Sequence, residues 1–308
     1  MNANPSDQEN GLQPNNAKAP YFAHLIGASV PARLNPSTCI YFDGIAADLC
    51  IPEMLDLVEG WFSKWGSKPK VVLVGAGEER APRYTVKSLR IAASADEAAA
   101  RRSFNTLQFF PKGRTTIDDT WRPSIYCAVS IKRPTSAFFC VNEDVETTDL
   151  LPLLRRGDEV FRSCASYGFW FPEMFSPLGY YWGIAVEPAG RRDGAWGKQQ
   201  MRRLSHWRDN TSIGVVSDRD RRFFGPCDGY VRDVYPLMLL DDRHMRRGAG
   251  GTTLLERITG GSLGEVQANG KKSLWCLPPG KLAAAQRLLD ESDITLSGRR
   301  LEGVKYRH

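Results

Sequence analysis

Histidine is scarce in this chain: four of its 308 residues, and none stands at metal-ligand spacing from a cysteine. The seven cysteines, Cys39, Cys50, Cys127, Cys140, Cys164, Cys227 and Cys276, include no C-x-x-C pair. These absences remove the short-spaced metal and redox motifs. No apolar run approaches the roughly 18 residues needed to span a bilayer. Residues 1–20 are rich in Asn, Pro, Gln and Ala and lack a basic start followed by an apolar core, so they do not read as a Sec signal peptide. They read as a disordered tail.

The odd cysteine count and the lack of spacing favour small buried thiols in a reducing compartment, and a cytoplasmic protein is expected. Cys39, Cys127, Cys140 and Cys276 fall in expected strands, and Cys164 falls on the apolar face of an expected helix. A nucleophilic cysteine would need a partnering histidine, and the spacing offers none.

What is present is a well-patterned globular chain, 42% hydrophobic and 25% charged. Residues 38–42 read as a strand ended by Asp43-Gly44. Met54, Leu55, Val58, Trp61, Phe62 and Trp65 recur at helical steps and predict a helix over 51–65, with Pro52 in its first turn and Gly66 at its stop. Residues 71–74 form a short apolar strand. Ser94-x-x-Glu97 has the capping-box pattern and is read as opening a helix to about residue 107. Ile125, Cys127, Val129 and Ile131 alternate with polar or small residues as in a half-buried strand, and 137–141 returns to form an antiparallel hairpin. A helix is expected from about 149 to 164, with Gly157 on its buried face marking close packing. A strand is expected at 180–186 and a helix at 198–207. Thr253-x-x-Glu256 opens a short helix, Asn269-Gly270 marks a hairpin, a helix covers about 280–291 and a last strand covers 294–296.

Hairpins outnumber crossovers, which predicts an α+β fold: a mostly antiparallel sheet covered by helices on one face, with a small C-terminal α+β unit. The expected division is a tail at 1–20, an α+β domain at 21–190, and at 191–308 an Arg-rich connection with the C-terminal unit packed on that domain.

Candidate chemistry is sparse. Val74-Gly75-Ala76-Gly77 follows a strand but lacks the third glycine of a dinucleotide loop, and Glu78-Glu79-Arg80-Ala81-Pro82 is a poor helix start for pyrophosphate. The glycines of 248–253 have no Lys before the Thr pair, so a loop with a Thr cap is the simpler reading. Asp241-Asp242-x-His244 offers carboxylates and an imidazole but would need further groups for metal or general-base chemistry, and a charge cluster at a helix start is preferred. Tyr167, Trp170, Phe171, Tyr180, Tyr181 and Trp182 read as an aromatic core between helix and sheet rather than as a binding face.

Net charge is +6, and residues 191–257 hold 14 Lys/Arg against nine Asp/Glu. Acids alternate with the arginines, as in Asp218-Arg219-Asp220-Arg221, which favours a solvated face over a nucleic-acid surface. Within this region 223–245 packs aromatics, Pro, Gly and alternating charges, as in a long ordered connection docked on a domain. Its aromatics are expected to dock, while Asp228, Arg232 and Asp233 stay near the surface, available to a partner. On that reading Arg232→Ala leaves stability nearly unchanged. Asp241 and Asp242 extend the same partner-binding set.

The order strand, amphipathic helix, short strand, polar loop, helix, then the hairpin from Ser124-Ile-Tyr-Cys-Ala-Val to Ala137-Phe-Phe-Cys-Val resembles the bacterial immunity proteins of polymorphic-toxin and type VI secretion systems, the immunity protein 52 type in particular. The second half, with Leu204-Ser-His-Trp-Arg208, Val231-Arg-Asp-Val-Tyr-Pro-Leu-Met-Leu-Leu240, Thr252-Thr-Leu-Leu-Glu256 and Leu274-Trp-Cys276, resembles further relatives of toxin loci. The resemblance implies a protein without catalytic residues, cofactor or metal that binds a cognate toxin and neutralises it. Many immunity proteins against nucleases are acidic, and the basic balance here departs from that pattern. Two other readings compete: a nucleic-acid-binding or regulatory module using residues 191–257, and an enzyme using Asp241, Asp242 and His244.

Overall fold

The computed structural model describes residues 18–27, 35–74, 85–111, 123–131, 135–186, 196–208, 210, 226–261 and 263–298. Most of the expected tail, the 75–77 glycine loop, the Arg191-Arg192 and Arg221-Arg222 pairs, and Phe223 and Phe224 lie outside them. The last tail residues are built into the fold: Lys18 sits 4.5 Å above the Trp170 ring.

The helices are α1 (Ala23–Ile26), α2 (Ile51–Lys64), α3 (Val86–Ala95), α4 (Glu97–Arg102), α5 (Thr147–Phe161), α6 (Pro177–Tyr181), α7 (Lys198–Arg208), α8 (Asp242–Met245), α9 (Leu254–Gly261) and α10 (Pro279–Glu291). The strands are β1 (Pro36–Asp43), β2 (Pro69–Val74), β3 (Thr106–Pro111), β4 (Ile125–Ser130), β5 (Ser136–Val141), β6 (Ala165–Pro172), β7 (Leu237–Asp241), β8 (Gly248–Ala249), β9 (Thr252–Thr253), β10 (Glu265–Asn269) and β11 (Lys272–Cys276). The fold is α+β. Nine strands form one sheet in the order β10-β11-β7-β6-β1-β5-β4-β3-β2, every neighbour antiparallel. The C-terminal strands β7, β11 and β10 extend this sheet rather than forming one of their own.

β1 is the central strand. Its side chains alternate between two faces, and both are covered. Ile40 and Phe42 point with Phe139 toward α2 and α5, where Trp61 packs edge-on at 5.6 Å from Phe139 and Phe161 lies 4.9 Å from Phe42. Tyr41 points the other way, opposite Phe138 and Tyr167, into an aromatic layer closed by Tyr181 of α6 and by Tyr235. The first face is covered by α2 and α5. The second is covered by α6, by the irregular connection that carries Tyr235 and by α7, whose Trp207 stacks on Arg232. With both faces covered, β4, expected to be half-buried, is buried along its whole length.

Gly157 shows how closely α5 approaches the sheet, since a Cβ there would lie 2.1 Å from the Phe42 ring. Gly157→Ala is therefore expected to destabilise the fold by about 1–3 kcal/mol through overpacking, despite alanine's better helix propensity. Equilibrium urea unfolding checks this, and an unchanged midpoint would refute it.

Several local readings shift. Residues expected as a strand at 180–186 begin within α6, where Ser176 Oγ accepts from Gly179 N at 3.0 Å and Pro177 occupies the first turn. β3 and β6 have no alternation to betray them. The box at Ser94 and Glu97 is not made: Asp96 caps α4 by accepting from Ala99 N at 2.9 Å, and Glu97 accepts from Ile51 N, an orphan donor of α2, at 2.6 Å. The true boxes are Thr85 with Ser88, and Thr253 with Glu256. Residues 294–296 contribute an isolated parallel bridge from Thr295 to Val231 rather than a full strand.

Candidate functional site

The connection 226–236 is ordered, and the expected partner-binding residues divide into two sets. Arg232 and Asp233 are 1% and 3% exposed, so neither stays near the surface. Asp228 and Asp242 are exposed, and Asp241 is half-buried.

Arg232 is buried because the connection crosses the sheet's aromatic face, and there its charge is met by rings and carbonyls. The guanidinium lies 3.6 Å from the Trp207 ring centroid and 4.2 Å from that of Tyr180. It donates to the carbonyls of Tyr180 and Tyr181, capping α6 from outside the helix. Asp233 turns to the other side. It accepts from Arg203 of α7, from Tyr180 Oη at 2.8 Å and from Ser297 Oγ at 3.0 Å. Arg203 also holds Asp290 of α10 at 2.5 Å. Three elements far apart in sequence are thus joined through one buried ion-pair network, whose role is structural.

Beneath it lies Asp43, at the end of β1 and 1% exposed, with one carboxylate oxygen unpartnered. Burial pushes its pKa up to about 7, against the pull of Arg232, Tyr41 and the Gly44 N–H. The folded pKa exceeds the ordinary carboxylate value, so the folded state holds a proton that the unfolded chain releases. Asp43's contribution to stability is complete below about pH 4 and is lost as pH rises through about 7. Asp43→Asn is expected to flatten the decline in stability between those values, measured by urea midpoints across pH. An identical pH slope in the variant would count against it.

Asp241 and His244 do come together. Asp241 is the N-cap of α8: its Oδ1 accepts from Arg243 N at 3.0 Å and meets His244 Nδ1 at 2.6 Å, while its Oδ2 accepts from Arg243 Nε at 2.9 Å. Burial would raise the Asp241 pKa, but His244 and Arg243 outweigh it and hold the carboxyl down at about 2. His244 is fully buried, and its Nε2 faces the Tyr230 carbonyl at 3.2 Å. An imidazole engaged at both nitrogens beneath the surface clamps two segments together and has no open edge for a substrate.

Gly229, at φ +83°, makes the clamp possible, because a Cβ there would lie 2.8 Å from the Arg243 carbonyl oxygen. Arg247 covers the Tyr230 ring at 3.5 Å and donates to the Asp228 carbonyl at 2.9 Å. On the outside remain Asp228, Asp242, Arg243 and Arg246, with Asp242 and Arg246 paired at 2.6 Å.

Cysteine holds this ridge from the other end. Cys164 and Cys227 form a disulfide across 63 residues, with Cα atoms 5.2 Å apart. Cys164 therefore lies beyond the end of α5 and not on its apolar face, and these two residues are not the thiols expected. The tight place is beside Gly44, where a Cβ would meet Cys227 Sγ at 2.6 Å. Sequence separation alone gave no sign of the pairing. Cys39, Cys127 and Cys140 are free and buried, as expected.

Among the described residues, no group of three or more His, Cys, Asp or Glu side chains is placed to hold a metal ion, and no helix is long and apolar enough to cross a membrane. No protein-family model matches the chain, and no curated relative matches it. Among solved structures, a Pseudomonas aeruginosa T6SS protein, PA0821, superposes with a TM-score of 0.45 at 11% sequence identity, over 89% of this chain and 78% of that one.

Proposed function

We propose that this chain is a non-catalytic binding protein of the immunity type, associated with type VI secretion, that neutralises a cognate toxin through the ridge at 226–230 and 242–247. The observation that carries the reading is the pre-organisation of that ridge. Asp228, Asp242, Arg243 and Arg246 project from backbone fixed beneath by the disulfide, by buried His244 and by the Arg232 network. Charges held in place before the encounter lower the ordering cost of association and favour one partner over others. Their mixed sign suits a protein surface better than a run of phosphates. The sequence resemblance to immunity proteins points the same way. The disulfide supports an encounter in oxidising surroundings, where such bonds persist, rather than in the reducing compartment expected from the cysteine pattern.

Co-expression with the product of the neighbouring gene, followed by capture on the tagged chain, tests the reading. Retention is expected, and Asp228→Lys with Asp242→Lys should abolish it in a variant that remains folded by circular dichroism. Deleting the gene should harm cells only when the neighbouring effector is intact. Failure to retain the neighbour's product, or retention unaffected by the double charge reversal, would refute the assignment.

A further inference from the structure

The sheet ends on β10, and this edge is open. The phase of the ladder shows which of its groups are free. Leu277 N–H donates to the Pro236 carbonyl at 2.8 Å, so Ser273 and Trp275, two and four residues before it, also turn their backbone groups to β7. Lys272, Leu274 and Cys276 therefore turn theirs to Asn269, Gln267 and Glu265 of β10. Val266 and Ala268 are left with N–H and C=O groups directed away from the sheet, and no strand or turn among the described residues pairs with them. Glu265, Gln267 and Ala268 are exposed.

Edge strands of natural sheets carry devices against pairing with another chain. β2, at the other end of the sheet, has Pro69 and the exposed Lys70. β10 reads Glu-Val-Gln-Ala-Asn, without proline, lysine or a bulge in its register with β11. It also complements itself. When two copies lie antiparallel about a two-fold axis at Gln267, Val266 of each meets Ala268 of the other, and the residues of each such pair exchange both N–H···O bonds. Glu265 then stands opposite Asn269 of the second copy. Lys271, next in the turn, lies diagonal to Glu265 and within reach of a long side chain of opposite charge. No like charges face each other anywhere along this register.

We infer that β10 is a self-pairing edge: two copies of this chain join β10 to β10 about Gln267 and continue the sheet from one molecule into the next. The contact uses the same patch on both copies, so it closes at a dimer and does not propagate. A ladder of five residues per copy falls short of a standard interface, and the dimer is expected to be weak, with a Kd on the order of 10–100 µM. No residue of the proposed ridge takes part, so pairing of copies and capture of a toxin can fail separately.

Sedimentation equilibrium of the full chain, from about 1 to 300 µM, tests the inference. Wild type is expected to pass from monomer to dimer and no further. Gln267→Lys and Gln267→Glu each set like charges across the axis and should weaken the dimer by about fivefold. Mixed in equal amounts, the two variants should form a heterodimer at least as tight as wild type. Ala268→Pro removes an outward N–H without taking a bond from β11, and should leave a folded monomer by circular dichroism. The exposed Gln267 variants decide the matter if the proline variant does not fold. A wild type that stays monomeric throughout, a dimer unchanged in both charge variants, or a mixture that associates no better than either variant alone would each overturn it.

Discussion

Arg232→Ala is expected to lower the free energy of unfolding by about 3–5 kcal/mol, the reverse of what its place in a charged, glycine-rich run suggests. Three losses combine. The carbonyls of Tyr180 and Tyr181 lose their donor, the rings of Trp207 and Tyr180 face a void, and Asp43 loses the cation nearest its buried carboxyl. Arg232→Met refills the void without the charge and should cost less than alanine, which separates packing from electrostatics. Part of the alanine penalty should disappear at pH 5, where Asp43 is protonated and needs no cation. Urea unfolding of both variants at pH 5 and pH 8 checks all three statements. A loss below about 1 kcal/mol for Arg232→Ala would mean that the network does not hold the connection.

Breaking the Cys164–Cys227 bond should have an effect of similar size. Closing a loop of 63 residues restricts the unfolded chain by roughly 4 kcal/mol in the chain-entropy account. Cys227 is exposed while Cys164 is buried, so a small thiol reaches the bond at one sulfur without unfolding the protein. Cys227→Ser, or wild type in reductant, should melt well below the oxidised protein, and reductant should not lower the variant further. Equal melting temperatures with and without reductant would refute a stabilising bond. The same comparison by hydrogen exchange should show protection lost first in 226–230, which the bond holds directly.

Much of the architecture was legible because much of it is local. The apolar stripe of α2 sets a 3.6-residue period, the β4–β5 and β10–β11 hairpins carry their own turn signals, and Thr253 with Glu256 announces its cap. The α+β class followed from these. Other features depend on contacts distant in sequence. β1 pairs with β5 and β6, each roughly a hundred residues or more away, and nothing in its own residues names those partners. β6 is buried on both faces, so its aromatics show no alternation. Arg232 and Asp233 were misplaced because charge is an unreliable guide to exposure when a partner awaits in the core: Arg203 and Asp290 complete their network from two other helices. Asp228 and Asp242 could be placed outside by the ordinary rule for charged side chains, and there it held.

The disulfide has a mechanical side as well. It turns 63 residues into a closed ring, so a single cut anywhere between Cys164 and Cys227 leaves the two pieces covalently joined. Pulled by its ends, the oxidised chain would withhold roughly 210 Å of contour length. An unfolding machine that threads one strand at a time would meet a double-stranded knot of chain at Cys164, and would have to wait for an electron donor before it could finish.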